Sequence, residues 1–320
     1  MKIQGFLVVD KPAGVTSHDV VAAVRACTGV KKVGHTGTLD PFATGVLPLA
    51  LGRSTRLVQF LDESIKVYDA HIQLGAATDT GDPTGEVIRE APVPPLERAG
   101  VEAVLSTFLG ERMQEPPAYS AVKVDGKPLY HYARKGQKVR AAPRAIMVHH
   151  LELLGLEPDT LRVRITCGRG TYARVLADEI ATALGTAGHL KALCRDRSGP
   201  FYMEDAVDLP TLADWVRTAP GPDWRAVLMA RRGEERVPWR PRDEVRAAVA
   251  EHMRSEVTSL GHLPMVDVPA ADLVRVRNGG TPPPAPRGSR LGQRYLLVSG
   301  AELIAVAEHG TEGPKLLRVA

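Results

Sequence analysis

Short strand-like segments alternate with helical ones along the first two-thirds of the chain, and this alternation constrains the fold most. Phe6–Val9 is a short apolar run, and Asp19–Cys27 has helical spacing of its apolar residues behind a possible cap at Ser17. Tyr68–Leu74 alternates with period two, whereas Leu96–Phe108 returns to helical spacing. The pattern predicts an α+β architecture rather than regular parallel βαβ repeats.

A second strand signal is followed by a glycine-rich break. Leu161–Cys167 alternates apolar residues with arginines, which predicts a strand with one basic face. The break at 168–170 then allows a helix from Thr171 to Leu184, with Gly185 as its C-terminal glycine. The pair Asp125–Gly126 is typical of a hairpin turn.

Length and charge set bounds that agree with a two-domain protein acting on an anion. The chain has 320 residues, of which 44% are hydrophobic, so it can bury a sizeable core and is long enough for two domains. Its net charge of +4 mildly favours an anionic partner such as nucleic acid.

Cysteine usage and motif absences exclude several classes. The three cysteines, Cys27, Cys167 and Cys194, are odd in number and far apart, which favours neither a disulfide framework nor a zinc site. We therefore expect a cytoplasmic location and no metal. No signal-peptide core or bilayer-length apolar run is found, so membrane roles are not expected. Without a Rossmann glycine pattern or a P-loop, no cofactor is expected.

The segment Gly34–Pro41 presents a histidine and a carboxylate, His35 and Asp40, within a frame of glycines and a proline. Loops of this kind carry many binding and catalytic side chains. An ordinary turn is the alternative, because aspartate before proline often does no more than accept a backbone N–H. On these eight residues alone both interpretations stay open.

Three further segments accompany this loop, in the order Asp10–Ser17, Pro116–Lys123 continuing to Gly126–Tyr130, and Gly168–Arg174. Together the four motifs closely resemble the TruB family of tRNA pseudouridine synthases, and the likeness runs from about Gly5 to about Leu209. The resemblance implies isomerisation of uridine 55 in the T-loop of tRNA. It also implies a long curved mixed sheet flanked by helices, with the active-site cleft across it.

The C-terminal third differs in character. We predict a catalytic domain over 1–215, an insertion or extended linker over 216–261, and a small β-rich domain over 262–320 that resembles a PUA module through Val276–Gly280. The middle stretch contains Arg231, Arg232, Arg236, Arg240 and Arg242, and a helix is possible from Asp243 to Val257. Strands are predicted at Val266–Val268, Leu273–Arg277, Tyr295–Val298 and Leu303–Ala307.

The chemistry needs a group that can act on a sugar–base unit, and Asp40 is the candidate because carboxylates serve as nucleophiles at sugar carbons and as general bases. The resemblance implies that Arg174 holds this carboxylate charged and oriented. It implies further that a flipped uridine stacks on Tyr68 beside a second pocket residue, Tyr172. The remaining implied substrate-binding residues are Leu193, as an apolar wall, and His35, as support for the opened RNA loop.

Basic side chains for the RNA backbone are numerous and hard to rank. The candidates are Lys31, Lys32, Arg134, Lys135 and Arg195. Such charges can also be ordinary solvated surface. If they contact phosphates, binding weakens as salt increases.

Three functions are compatible with these residues. The leading one is a monomeric synthase acting on the T-arm of tRNA. A non-catalytic RNA-binding or tRNA-folding factor would use the same cleft. A carboxylate-based nucleosidase would share the nucleophile but release free base.

Overall fold

The computed structural model describes residues 3–62, 64–218, 223–229 and 239–320. Its strands are β1 Gly5–Lys11, β2 Val33–His35, β3 Thr44–Leu51, β4 Lys66–Leu74, β5 Ala76–Thr78, β6 Val87–Glu90, β7 Gly110–Gln114, β8 Lys123–Val124, β9 Lys127–Pro128, β10 Arg144–Glu157, β11 Thr160–Cys167, β12 Gly188–Ser198, β13 Phe201–Tyr202, β14 Val207–Asp208, β15 Met253–Arg254, β16 Met265–Asp267, β17 Arg294–Ser299, β18 Glu302–Gly310 and β19 Gly313–Val319. Its α-helices are α1 Ser17–Thr28, α2 Arg98–Ser106, α3 Leu129–Ala133, α4 Ala173–Ala183, α5 Leu209–Val216, α6 Trp224–Met229, α7 Arg242–Glu251, α8 Glu256–Ser259 and α9 Leu273–Arg277. Short 3₁₀ turns lie at Gly52–Arg56, Val58–Phe60, Met203–Asp205 and Ala270–Asp272.

Within the described residues one large mixed sheet organises the protein. Its main path runs β14-β1-β3-β12-β4-β11-β10-β7, with β2 on β3, β13 on β12 and β15 on β1. The pairings β1–β14 and β3–β12 are parallel, and the others along the path are antiparallel. Mixed pairing and helices without a βαβ repeat confirm the predicted α+β class.

The period-two patterns predicted the central strands correctly. In β4 and β11 the apolar residues are buried on one face and the polar ones are more exposed on the other. The hairpin predicted at Asp125–Gly126 is also confirmed, because both residues have positive φ, at 50° and 78°, between β8 and β9. Positive φ at both central positions is what a two-residue hairpin requires.

The start of α1 corrects a prediction. Thr16, rather than Ser17, is the N-cap, and its side chain forms a capping box with Asp19. Ser17 is the first helical residue, and its hydroxyl contacts Leu39 instead of capping the helix. Gly185 follows the end of α4 at a φ of 83°, in keeping with a predicted C-terminal glycine.

The stretch predicted as an insertion or linker contributes helices to the core. Buried residues of α6 and α7, Val227, Leu228, Val245 and Val249, belong to the main hydrophobic cluster, and both helices pack on α1 and α5. The helix predicted over 243–257 is shorter, because α7 ends at Glu251 and β15 then pairs with β1. Arg231, Arg232 and Arg236 lie outside the described residues. The boundaries at 215 and 261 stay a prediction.

The C-terminal residues form a separate small sheet in the order β16-β17-β18-β19. Leu273–Arg277, predicted as a strand, is the short helix α9 instead, with Val276 buried and Val274 exposed. The sheet packs against the larger one, since Leu296, Val298, Leu303 and Val306 share a hydrophobic cluster with β1 and β3. No helix within the described ranges is both long and apolar enough to cross a lipid bilayer.

Candidate active site

The segment that carries Asp40 lies between β2 and β3 and is held by the chain around Gly14. The amide of Gly14 donates to the carbonyl of Pro41 over 2.8 Å. The Ser17 hydroxyl donates to the carbonyl of Leu39 and accepts from its amide, both over 2.9 Å. Two of the motifs recognised in the sequence thus form one structure, in which the start of α1 positions the backbone beside Asp40.

Arg195 holds the same segment from β12. It is only 1% exposed, and its guanidinium donates to the carbonyls of Val46, Thr38 and Gly37 over 2.8, 3.2 and 3.2 Å. The prediction that Arg195 contacts the RNA backbone is therefore wrong, because a buried guanidinium with three carbonyl partners cannot reach a phosphate. Its role is to position the segment between β2 and β3 that carries Asp40, which we call the reactive loop.

We expect Arg195→Ala to lower the free energy of unfolding by roughly 2–4 kcal/mol, because the buried carbonyl of Val46 and the part-buried carbonyls of Thr38 and Gly37 lose their donor. Urea denaturation followed by circular dichroism measures this change. Lys135→Ala is the matched control, since Lys135 is an exposed cation. Equal stability of the two variants would contradict the role given to Arg195.

Asp40 and Arg174 form a two-pronged ion pair. Nε of Arg174 donates to one carboxylate oxygen over 2.9 Å and Nη2 to the other over 3.3 Å. The arginine side chain is 5% exposed, whereas that of Asp40 is 33% exposed. The carboxylate is thus fixed from one side by a buried cation and open on another.

The guanidinium of Arg174 is itself fixed by two backbone carbonyls. Nη1 donates to Thr80 over 2.7 Å, and Nη2 donates to Tyr119 over 2.9 Å. Gly81 permits this packing, since its φ is 71° and an added Cβ would lie 3.1 Å from Cβ of Arg174. Sequence reasoning missed Thr80, and it recognised the motif around Tyr119 without assigning this contact. Both act through backbone atoms, which leave no side-chain signal.

Tyr68 lies on β4, buried at 7% exposure. Burial raises the pKa of its phenol to about 12, with Arg195 opposing the shift and the charge of Asp40 adding to it. The phenol is therefore neutral at physiological pH. The ring belongs to the main buried cluster and lies within the electrostatic influence of Asp40 and Arg195, so stacking of a base on Tyr68 stays a prediction.

The other two predicted pocket residues, Tyr172 and Leu193, lie before α4 and on β12. Tyr172 is the residue before α4, and its amide donates to Oε1 of Gln114 over 2.8 Å while Nε2 of Gln114 returns a 3.3 Å bond to its carbonyl. Leu193 lies on β12 opposite Ala70 and is 6% exposed. Gln114 is a further residue that the sequence analysis missed, although it lies two positions before a recognised motif.

His35 lies at the end of β2, away from the ion pair along the segment. Its ring meets that of His18 edge to face, with centroids 5.3 Å apart. Burial lowers the pKa of His35, and His18 and Arg195 add to the effect, so the imidazole is neutral at pH 7. Among the described residues no hydrogen-bond partner reaches its buried Nδ1.

The other predicted phosphate contacts are exposed. Lys31 and Lys32 precede β2, and Arg134 and Lys135 follow α3. The guanidinium of Arg134 lies 5.4 Å from the centroid of the Tyr130 ring. Exposure agrees with a role in binding RNA, which stays a prediction for these four side chains.

Lys11 is a buried cation beneath the reactive loop. Its Nζ donates to the carbonyls of Pro12, Val15 and Pro41 over 2.9, 3.0 and 3.3 Å. Burial lowers the pKa of Lys11 to about 8, although the charge of Asp40 opposes the shift. An ammonium with three acceptors is therefore held close to its titration point.

We expect Lys11 to titrate near pH 8, as lysine NMR of reductively ¹³C-methylated protein would report. Because this pKa lies below that of an unfolded lysine, the unfolded chain binds more protons between about pH 8 and 10.5. The Lys11 contribution to stability therefore rises with pH across that window. A lysine spectrum in which every signal titrates above pH 10 would contradict this assignment.

Comparison with known proteins gives the context for this site. Residues 25–173 match the family model described as TruB family pseudouridylate synthase (N terminal domain). "tRNA pseudouridine synthase B" of Geotalea uraniireducens is 49% identical over 215 residues, covering 67% of this chain and 68% of the relative. The protein of the same name from Geobacter sulfurreducens is 39% identical over 330 residues and covers 99% of both chains.

A solved structure agrees with the whole architecture. A chain titled "Crystal Structure of a Cbf5-Nop10-Gar1 Complex" is 26% identical, with a TM-score of 0.67 over 99% of this chain and 84% of that one. This chain therefore has the ion-paired Asp40, and the relatives that it matches are named tRNA pseudouridine synthase B. The protein belongs to the TruB family of pseudouridylate synthases.

Proposed function

We propose that this protein converts uridine 55 in the T-loop of tRNA into pseudouridine, with Asp40 as the catalytic carboxylate. The observation that carries the proposal is the ion pair in which buried Arg174 orients a partly open Asp40. A carboxylate fixed in this way and open to solvent on one side can meet a nucleotide that enters from outside. The reaction itself is inferred from membership of the TruB family.

The reaction is an isomerisation. The bond between ribose C1′ and N1 of uracil breaks, the base turns, and C1′ joins C5. The proton on C5 is lost and N1 gains one, so nothing is oxidised or hydrolysed and no redox partner is consumed. Three roles are open to Asp40: attack on C1′, attack on the base, or removal of a ribose proton.

The uridine must leave its stack to reach Asp40. We assign the stacking face to Tyr68, whose phenol is neutral; because only 7% of this residue is exposed, stacking requires the side chains that cover the ring to move. Tyr172 and Leu193 complete the pocket, and His35 supports the RNA loop from the neighbouring strand. Arg174 keeps Asp40 oriented while the base turns, because two hydrogen bonds hold both carboxylate oxygens.

The partner in this proposal is the T-arm of tRNA, bound by a monomer in the cytoplasm. Exposed Lys31, Lys32, Arg134 and Lys135 supply phosphate contacts, and affinity should therefore fall as salt increases. The C-terminal sheet provides additional surface for RNA.

Site selection is tested by treating unmodified tRNA with the protein and mapping pseudouridine along the whole molecule. The proposal predicts modification at position 55 of the T-loop. Modification at another uridine would contradict the T-loop assignment but leave the synthase activity intact. Binding without any pseudouridine would instead favour a non-catalytic RNA-binding factor.

A further inference from the structure

Helix α1 has one face buried on the sheet and another open to solvent. Val20, Val24 and Cys27 are fully buried. On the opposite face His18, Ala22, Arg25 and Ala26 are exposed. Because alanine side chains are short, the helix backbone is more accessible at Ala22 and Ala26 than at His18 and Arg25. The helix has 12 residues, so this face extends about 18 Å from the reactive loop.

Arginines from the stretch 216–261 stand at both ends of this helix. At the N-terminal end, Nη2 of Arg225 lies 3.9 Å from the Cβ position of Gly14, the residue whose amide binds Pro41. At the other end, Nε of Arg246 donates to the carbonyl of Thr28 over 2.8 Å. The side chain of Arg242 lies 3.1 to 3.3 Å from the Cβ position of Gly29.

The C-terminal end of α1 is strongly basic. Lys31 and Lys32 lie three and four residues after the end of the helix and are exposed, as is Arg242. In the described part of the chain, none of the ion pairs involves these three side chains. At this end Asp243 pairs with Arg246 at 3.5 Å, and Glu244, the next residue of α7, is exposed. At the other end Asp223 pairs with Arg225 at 4.0 Å.

We propose that the exposed face of α1, bordered by Arg225, Arg242, Lys31 and Lys32, binds the phosphate backbone of the double-helical stem whose loop enters the active site. This rests on the proposed function, because the reactive loop at the start of α1 fixes where the RNA loop lies. A flat face about 18 Å long with cations at its ends suits a sugar–phosphate backbone, which approaches closely where side chains are small.

The test is binding of Arg242→Glu to two hairpins with the same T-loop, one with a stem of five base pairs and one with two. We expect the dissociation constant of the longer hairpin to rise roughly five- to tenfold at low salt. The slope of the logarithm of its affinity against the logarithm of the salt concentration should become shallower by about one. Binding of the shorter hairpin and turnover at saturating RNA should stay unchanged. Ala26→Glu should give the same pattern.

Lys191→Glu is the matched control, since Lys191 is an exposed cation on β12 and no ion pair among the described residues includes it. Equal losses for both hairpins, or lower turnover with unchanged binding, would overturn the stem-binding surface. Unchanged affinity of Arg242→Glu and Ala26→Glu for the longer hairpin, with folding verified by thermal denaturation, would also overturn the stem-binding surface. Wild-type protein making pseudouridine in the same hairpins separates these outcomes from failure of the proposed function.

Discussion

Asp40→Asn should reduce pseudouridine formation by at least roughly a thousandfold, because the amide can neither attack carbon nor accept a proton as the carboxylate does. The side chain keeps its size, so the loop held by Ser17 and Arg195 should stay in place. The measurement is release of hydrogen from C5 of uridine, followed as tritium entering water from RNA labelled at that atom.

RNA affinity supplies the control for this substitution. We expect the dissociation constant for a T-arm hairpin to change by less than about threefold, since the variant removes a catalytic group rather than a phosphate contact. Wild-type turnover by Asp40→Asn would eliminate Asp40 as the catalytic residue. Loss of binding together with turnover would point to a role in forming the site.

Arg174→Lys should lower turnover by roughly a hundredfold to a thousandfold, because an ammonium cannot hold both oxygens of Asp40 in a fixed plane. It should also lower the free energy of unfolding by about 1–3 kcal/mol, since the carbonyls of Thr80 and Tyr119 lose guanidinium donors. Single-turnover kinetics and urea denaturation measure the two effects.

Arg164→Lys is the matched control, because Arg164 forms an exposed ion pair with Glu152 at 3.6 Å and exposed pairs contribute little. It should keep both turnover and stability. If Arg174→Lys behaves like this control, orientation of Asp40 by the guanidinium is not required. Reduced stability with normal turnover would restrict Arg174 to a structural role.

Local periodicity predicted the elements that hold the site better than it predicted the contacts within it. The alternation in Tyr68–Leu74 and Leu161–Cys167 identified two adjacent central strands, because burial on one face of a sheet imposes a period of two. Leu273–Arg277 shows the limit. Its alternating β-branched residues favour a strand, yet the segment folds as a helical turn that buries only Val276 completely.

The errors at the site itself have a common physical origin. Arg195 was placed among surface cations because arginines are rarely fully buried, whereas here three carbonyls satisfy its guanidinium. Thr80 and Tyr119 hold Arg174 through backbone oxygens, which every residue possesses. Away from the site, the stretch 216–261 was predicted as an insertion or linker with one helix at 243–257; α6 was missed, because arginines and prolines masked the few apolar residues that it buries.

Isomerisation of uridine 55 by Asp40 is tested with a T-arm hairpin in which position 55 carries the only uridine. After incubation with the protein, digestion to nucleosides and chromatography would quantify uridine, pseudouridine and free uracil. If Asp40 catalyses the isomerisation, that uridine is converted completely to pseudouridine, with no uracil in solution and no conversion by Asp40→Asn. Unchanged uridine, or uracil released in place of pseudouridine, would contradict it.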